Sequence, residues 1–420
     1  MTAPVRATGG PRPEAGVAGA SRTLNWTPAD TVRTTIAVGI AIVLLSLAWW
    51  LSATGGEGVG GRGASFALLA GTGLGILFER GRFCFYCIFR DLFEEKNSRG
   101  VYSILAAIAV GTVGYVIVFA MRLADPTSGT LPSDAHIGPV SIALVAAGVA
   151  FGFGVVLSGG CIAGHIYRLG EGNLRAIPGL IGALIGFGIG FLTWNPIFLS
   201  VLGSAPAPWL PAGAGYGVAL LLQLGILAAI GVYLLRWNPP VAPQPARMID
   251  ATEIRRRLFF TRWPALLTGG LVGLIGFVAF LRGQPLGVTS QLSGATRTAM
   301  DNFDLLPSTL LGLDSTLRGC VALVVESITS NGWLIIGVFL GSLAAALPGR
   351  RFRIEKVTLR NGSTALLGGV LIGWGSIIGL GCTIGVFLSG TQALALSGWV
   401  FAVSVVAALG VGFHLRLHRL

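Results

Sequence analysis

Charge is what this chain has least of. Only 11% of its 420 residues are charged and 53% are hydrophobic, whereas an ordinary soluble domain carries about 25% charged residues. That scarcity excludes a soluble globular protein and points to an integral membrane protein. The alternating pattern of barrel strands is also missing. Helices are then the element left that can cross lipid with every backbone group paired. No phosphate-cradling glycine loop is present, which argues against ATP hydrolysis within the chain. No Ser-His-Asp set is visible either. The four histidines, His136, His165, His414 and His418, make no ligand cluster with the cysteines, so neither a metal nor a cofactor nor an enzymatic activity is expected. No short apolar core with a cleavage site precedes Ile36, so a cleaved signal peptide is not expected. Cysteine is scarce: five residues, most in or beside apolar runs. That excludes a secreted disulfide framework.

What is present is apolar sequence in long runs, with a mean hydropathy of +0.78. The runs fall at about 36–53, 64–79, 101–121, 140–160, 177–202, 214–235, 264–281, 307–325, 332–347, 363–381 and 394–413. Each approaches the roughly 20 residues a spanning helix needs. The net charge of +12 comes from arginines in short loops and tails. This is the pattern of cytoplasmic loops, not of a nucleic-acid surface. The expected organisation is a disordered cytoplasmic tail over 1–33, a first transmembrane half over 34–235, a basic cytoplasmic linker over 236–262 and a second half over 263–420. Both termini are expected in the cytoplasm. The arginine-poor loops 122–138 and 203–213 are expected outside.

Two segments repeat one another. Gly152-x-Gly154 is followed by five residues and then Gly160-Cys161-x-x-Gly164; Gly373-x-Gly375 is followed by five residues and then Gly381-Cys382-x-x-Gly385. The offset is 221 throughout. A second match, Gly71, Phe78, Arg80 and Gly81 with Gly273, Phe280, Arg282 and Gly283, runs at offset 202. Five runs separate the starts of the two halves, and an odd number of crossings inverts the second. Duplicated, glycine-broken apolar segments are the sequence mark of a transporter's substrate site. A helix broken inside the membrane exposes N–H groups and a positive dipole end that suit an anion. A buried helix-packing face with an inert cysteine is the competing reading of each segment.

A third segment, Arg80-Gly-Arg82-Phe-Cys84-Phe-Tyr-Cys87 with Arg90 and Asp91, surrounds a thiol with positive charge. Such surroundings attract anions and favour the thiolate. Its counterpart, Arg282-Gly-Gln-Pro-Leu-Gly-Val-Thr289-Ser290, offers hydroxyls and no cysteine. Cys320 has no repeat partner and is expected to be structural. Arg168 and Glu171 are candidates for a simple ion pair.

Taken together these pieces resemble the YeeE/YedE sulphur-transport family of bacterial inner-membrane proteins. The resemblance rests on Arg80-Gly-Arg-Phe-Cys84, Gly160-Cys161-x-x-Gly164 with Tyr167-Arg-Leu-Gly-Glu-Gly-Asn, Gly283-Gln-Pro-Leu-Gly-Val-Thr289, Gly381-Cys382-x-x-Gly385 and Ser397-Gly-Trp-Val-Phe. It implies an all-α polytopic protein with inverted repeats, broken or re-entrant helices and an hourglass-like central path. It implies uptake of thiosulfate or a closely related anion past Cys84, Cys161 and Cys382. The expected path residues are these three with Gly160, Gly164, Gly381, Gly385, Arg80, Arg82, Thr289 and Ser290. A cytoplasmic sulphur-carrier protein is the implied partner. Cys87 stands where the family usually has a small polar residue, and its proximity to Cys84 raises a redox role. A selenium-compound transporter of the same fold and a membrane thiol-disulfide oxidoreductase are the alternatives. Because a thiolate would repel a dianion, the thiols of Cys161 and Cys382 are expected to stay neutral during passage.

Overall fold

A computed structural model describes residues 26–54, 61–132, 135–238, 254–283, 285–314 and 327–419. Cys320, most of the N-terminal tail, much of the basic linker and much of the run 307–325 lie outside the described residues. The long helices are α1 (Pro28–Ala53), α2 (Arg62–Gly81), α4 (Val101–Arg122), α5 (Ile142–Ser158), α7 (Ala176–Ile197) and α8 (Leu210–Leu234). They continue as α9 (Ala265–Leu281), α11 (Ser330–Ala346), α12 (Leu359–Ile378) and α13 (Leu396–His414). Shorter ones lie between them: α3 (Phe85–Glu95), α6 (Ile162–Gly170), α10 (Ser290–Asp301) and a π-helix, Thr383–Gly390. Among the described residues the only β pairing is two isolated bridges, Asn173 with Glu355 and Trp209 with Ala395.

Among the described residues seven helical segments are long and apolar enough to cross a membrane. Their outward faces are apolar too. Ile42, Leu45 and Trp49 on α1 and Leu221 and Val232 on α8 are exposed, which water would penalise and lipid accepts. The protein is therefore an all-α, multi-pass membrane protein.

Small residues set how the helices meet. A Cβ on Gly71 of α2 would lie 2.2 Å from the Leu334 carbonyl oxygen of α11, and one on Gly75 would lie 2.3 Å from that of Val338. Gly269 and Gly273 of α9 press on Ser103 and Ala107 of α4 in the same way. Gly182 and Gly186 of α7 press on Leu366 and Val370 of α12, and Gly148 and Gly152 of α5 on Ser404 and Ala408 of α13. In all four pairs the residue numbers rise together, so the partners run parallel. Without side chains between them the backbones reach contact, which is how helices associate where lipid removes the hydrophobic drive.

The order from α2 to α7 is long, short, long, long, short, long. The same order runs through α9, α10, α11, α12, the π-helix and α13. Helices in corresponding places that touch run antiparallel: Gly154 of α5 meets Gly368 of α12 while Gly375 meets Ala147. Likewise Gly73 of α2 meets Ile275 of α9 while Gly81 meets Thr268. Helices α1 and α8 fall outside this order.

One end of the bundle gathers the ion pairs. Arg350 bonds Asp30 at 2.7 Å, Arg351 bonds Glu79 at 2.9 Å, and His418 meets Glu94 at 3.0 Å. The start of α1 and the end of the described chain thus lie at the same basic face. Arg297 and Asp314, which no sequence pattern places, pair at 2.6 Å and tie α10 to the segment after it.

Candidate functional site

Each of the three family-type cysteines occupies the same local position: the residue that opens a short helix just after a long one has ended. The break before Cys84 is made by Arg82, left-handed at φ 52°, and Cys84 is the N-cap of α3. The break before Cys161 is Gly159 at φ 84°, and Cys161 caps α6. Before Cys382 come Leu380 at φ 59° and Gly381 at φ 152°, and Cys382 caps the π-helix. A left-handed residue ends a helix by taking up its last carbonyls, and glycine adopts that conformation without a Cβ clash. The next helix then starts with unpaired N–H groups close to the cysteine. In the corresponding place after α9 stands Thr289, the N-cap of α10.

All three cysteines are buried, at 1–2% exposure, and all are free thiols. Cys161 lies within electrostatic reach of Cys382, and Cys84 within reach of Cys161. Cys161 is therefore a neighbour of both Cys382 and Cys84. The Cys161 sulphur accepts a hydrogen bond from the Gly164 amide at 3.4 Å. Phe85 of α3 meets Phe387 of the π-helix with ring centroids 5.1 Å apart, closing the cluster between the two halves.

The Thr383 hydroxyl is a side-chain hydrogen-bond partner of the Cys161 thiol, while the buried hydroxyl of Thr289, the N-cap of α10, makes no hydrogen bond among the described residues. A buried, unpaired hydroxyl costs about 1–3 kcal/mol, a cost that a passing hydrogen-bond acceptor would remove. Sequence reasoning missed Thr383, although it adjoins Cys382 and stands at the start of a broken helix. Ser290, by contrast, is occupied: its hydroxyl donates to the Gly287 carbonyl at 3.3 Å.

The four glycines differ in what they face. Beside Gly164 a Cβ would find only the Cys161 sulphur, at 3.5 Å, although the residue is buried. A methyl at Gly164 would therefore make one ordinary contact, with that sulphur. A Cβ on Gly160 would lie 3.4 Å from the His165 ring. Gly381 is fixed by its backbone, and a Cβ there would also meet Val386 at 2.9 Å. Gly385 is buried within the π-helix.

The arginines divide into two sets. Arg80 is turned to structural work: it bonds the carbonyls of Phe259 and, at 3.1 Å, Ala345, and lies 3.4 Å from Glu79. Glu79 is held in that network by Arg351. Arg82 pairs with Asp91 at 3.0 Å, while Arg82, Arg90 and Arg168 all lie within electrostatic reach of Cys87. Arg168 makes no ion pair with Glu171 among the described residues. Its guanidinium instead bonds the Gly159 carbonyl and lies 5.8 Å over the Tyr86 ring, so it braces the break before Cys161. Glu171 sits beside this cationic group, and burial, with Glu79 nearby, pushes its carboxyl up to about 7.

Residues 80–411, which include all four described cysteines, match the sulphur transport family. The chain belongs to the sulphur transport family. Among curated members of known name it is similar to the thiosulfate transporter TsuA of Escherichia coli (strain K12), at 32% identity over 365 residues, 82% of this chain and 91% of that one. It is 26% identical over 355 residues to the thiosulfate transporter TsuA of Spirochaeta thermophila, covering 80% and 94% of the two chains. A shorter match, 35% over 129 residues, joins it to the probable transporter YedE of Salmonella typhimurium, at 31% and 30% of the two chains. All three are named as transporters, and this member of the sulphur transport family is a transport protein, not an enzyme.

Proposed function

We propose that this protein takes up thiosulfate, or a closely related sulphur anion, across the bacterial inner membrane along a central path between two inverted repeats. The observation that carries the reading is the placement of Cys382, Cys161 and Cys84 at three helix N-termini, with Cys161 within reach of both others. The repeated helix order and the antiparallel contacts between corresponding helices support the inverted halves. The basic face that gathers Arg350, Arg351, Arg82 and both ends of the described chain is the cytoplasmic one by the arginine bias. The path then runs inward from Thr289 past Cys382, Cys161 and Cys84.

Thiosulfate is a dianion with a soft terminal sulphur and hard oxygens. Neutral thiols donate weak S–H bonds, and backbone amides and threonine hydroxyls hold oxygens. Several weak stations suit transport, since a permeant must leave each site as well as enter it. A cytoplasmic sulphur-carrier protein as acceptor is part of the same proposal.

Growth tests the reading. A bacterium lacking sulphate and thiosulfate uptake should grow on thiosulfate as sole sulphur source when it expresses this chain. Failure with a well-expressed, membrane-inserted protein would reject thiosulfate and turn attention to selenium compounds. Gly164 offers a finer test. Gly164→Ala should insert and fold normally, because its methyl meets nothing closer than ordinary contact. Gly164→Leu should insert but lose uptake by crowding the Cys161 thiol. Equal uptake by Gly164→Leu and wild type would place the path elsewhere.

A further inference from the structure

The sulphur path leaves one of the four described cysteines unused. Cys87 is buried, at 5% exposure, one helical turn beyond Cys84. Cys84 is the N-cap of α3 and Cys87 its third residue. An N-cap side chain folds back over that third position. The two thiols are in fact side-chain partners of one another. Residues three apart on a helix have Cβ atoms about 5–6 Å apart, and a disulfide needs about 4 Å. The N-cap residue lies outside the helix proper, so a small rotation there closes the difference. Arg82, Arg90 and Arg168 lie around Cys87. Cationic neighbours and a helix N-terminus favour the thiolate, the form that attacks disulfides. Asp91, paired with Arg82 and Arg90, moderates this charge without cancelling it. Cys161 and Cys382 have no second thiol one turn away in their own helices.

We infer that Cys84 and Cys87 are a reversible disulfide site, oxidised by small-molecule disulfides, that shuts the inner end of the path. The Cys87 thiolate attacks one sulphur of the small disulfide, forming a mixed disulfide and releasing one thiolate. The Cys84 thiol then gives up its proton and attacks the Cys87 sulphur, releasing the second. Two protein thiols are oxidised and one small disulfide is reduced to two thiols. The product removes the S–H donor of Cys84 and fixes the first turn of α3. A dithiol reverses both steps.

The closure rests on the proposed transport path, but the bond itself does not, and the test reads the two separately. Purified protein in detergent is incubated with oxidised glutathione, alkylated and digested, and the 84–87 peptide is weighed. In parallel, thiosulfate uptake into vesicles containing wild type or Cys87→Ser is measured before oxidised glutathione, after it, and after dithiothreitol. The expected result is loss of two alkylatable thiols in that peptide. Wild-type uptake falls to that of protein-free vesicles and recovers with dithiothreitol. Cys87→Ser starts at the wild-type rate and keeps it throughout. The inference is overturned if no intramolecular bond forms, if uptake is unaffected when it does, or if Cys87→Ser is inhibited as wild type is. Formation of the bond in a protein that carries no thiosulfate even when reduced would reject the closure and the transport reading, leaving only the disulfide.

Discussion

Replacing Cys161 by alanine is expected to abolish thiosulfate uptake while leaving the protein in the membrane. On the proposed path Cys161 is the middle station, between Cys382 and Cys84, so no route along that path avoids it. Two effects could be confused here, a lost cap and a lost substrate contact. The sulphur accepts from the Gly164 amide at 3.4 Å, and losing an N-cap side chain costs about 0.5–2 kcal/mol. Cys161→Ser separates them. Serine is a strong N-cap residue, so this variant should be at least as stable as wild type. It should still fail to transport, because a hydroxyl is smaller and harder than a thiol and meets the soft sulphur of thiosulfate poorly. Uptake rates and the melting behaviour of the purified variants check both halves of the claim. A serine variant with wild-type uptake would refute the soft-contact account.

The second large effect is on stability. Gly182→Ala should destabilise the protein markedly, although alanine improves helix propensity by about 1 kcal/mol over glycine. A Cβ at 182 would lie 2.1 Å from the Leu366 carbonyl oxygen. That atom is backbone, so relief requires α7 and α12 to part along their length. Overpacking costs about 1–3 kcal/mol, and occasionally more, and here no side chain can rotate away. The net effect is a loss. Gly39→Ala is the control: nothing lies within 4 Å of its Cβ position, so only the propensity gain remains. Thermal unfolding followed in detergent should show Gly182→Ala melting well below wild type and Gly39→Ala at or above it. Equal melting of the two variants would contradict the packing account.

Much of this molecule is legible in its sequence. Scarce charge and long apolar runs specify a helical membrane protein. The G-C-x-x-G pair at constant offset locates Cys161 and Cys382 at helix breaks, because glycine before and after a cysteine is a local signal with a local cause. The Cys84 segment carries its arginines alongside it for the same reason. What is not legible is set by distant partners. Nothing near Arg80 in sequence reveals that it donates to the Phe259 and Ala345 carbonyls. The expected Arg168–Glu171 pair gives way to the Gly159 carbonyl, a group that only the break before Cys161 frees. Thr383 adjoins a motif but gains its interest from facing Cys161 across the repeat boundary. The glycines that fix helix pairs stand four apart, as Gly71 with Gly75 and Gly182 with Gly186 do, the spacing of packed membrane helices, but nothing in that spacing says which helix each pair meets.

The most direct measurement is thiosulfate flux into vesicles reconstituted with purified protein, comparing wild type with a folded variant carrying Cys84→Ala, Cys161→Ala and Cys382→Ala together. The account predicts rapid accumulation with wild type and, with the triple variant, no more than in protein-free vesicles. Undiminished flux through the triple variant would show that the anion crosses without the cysteines, and the proposed path would be wrong.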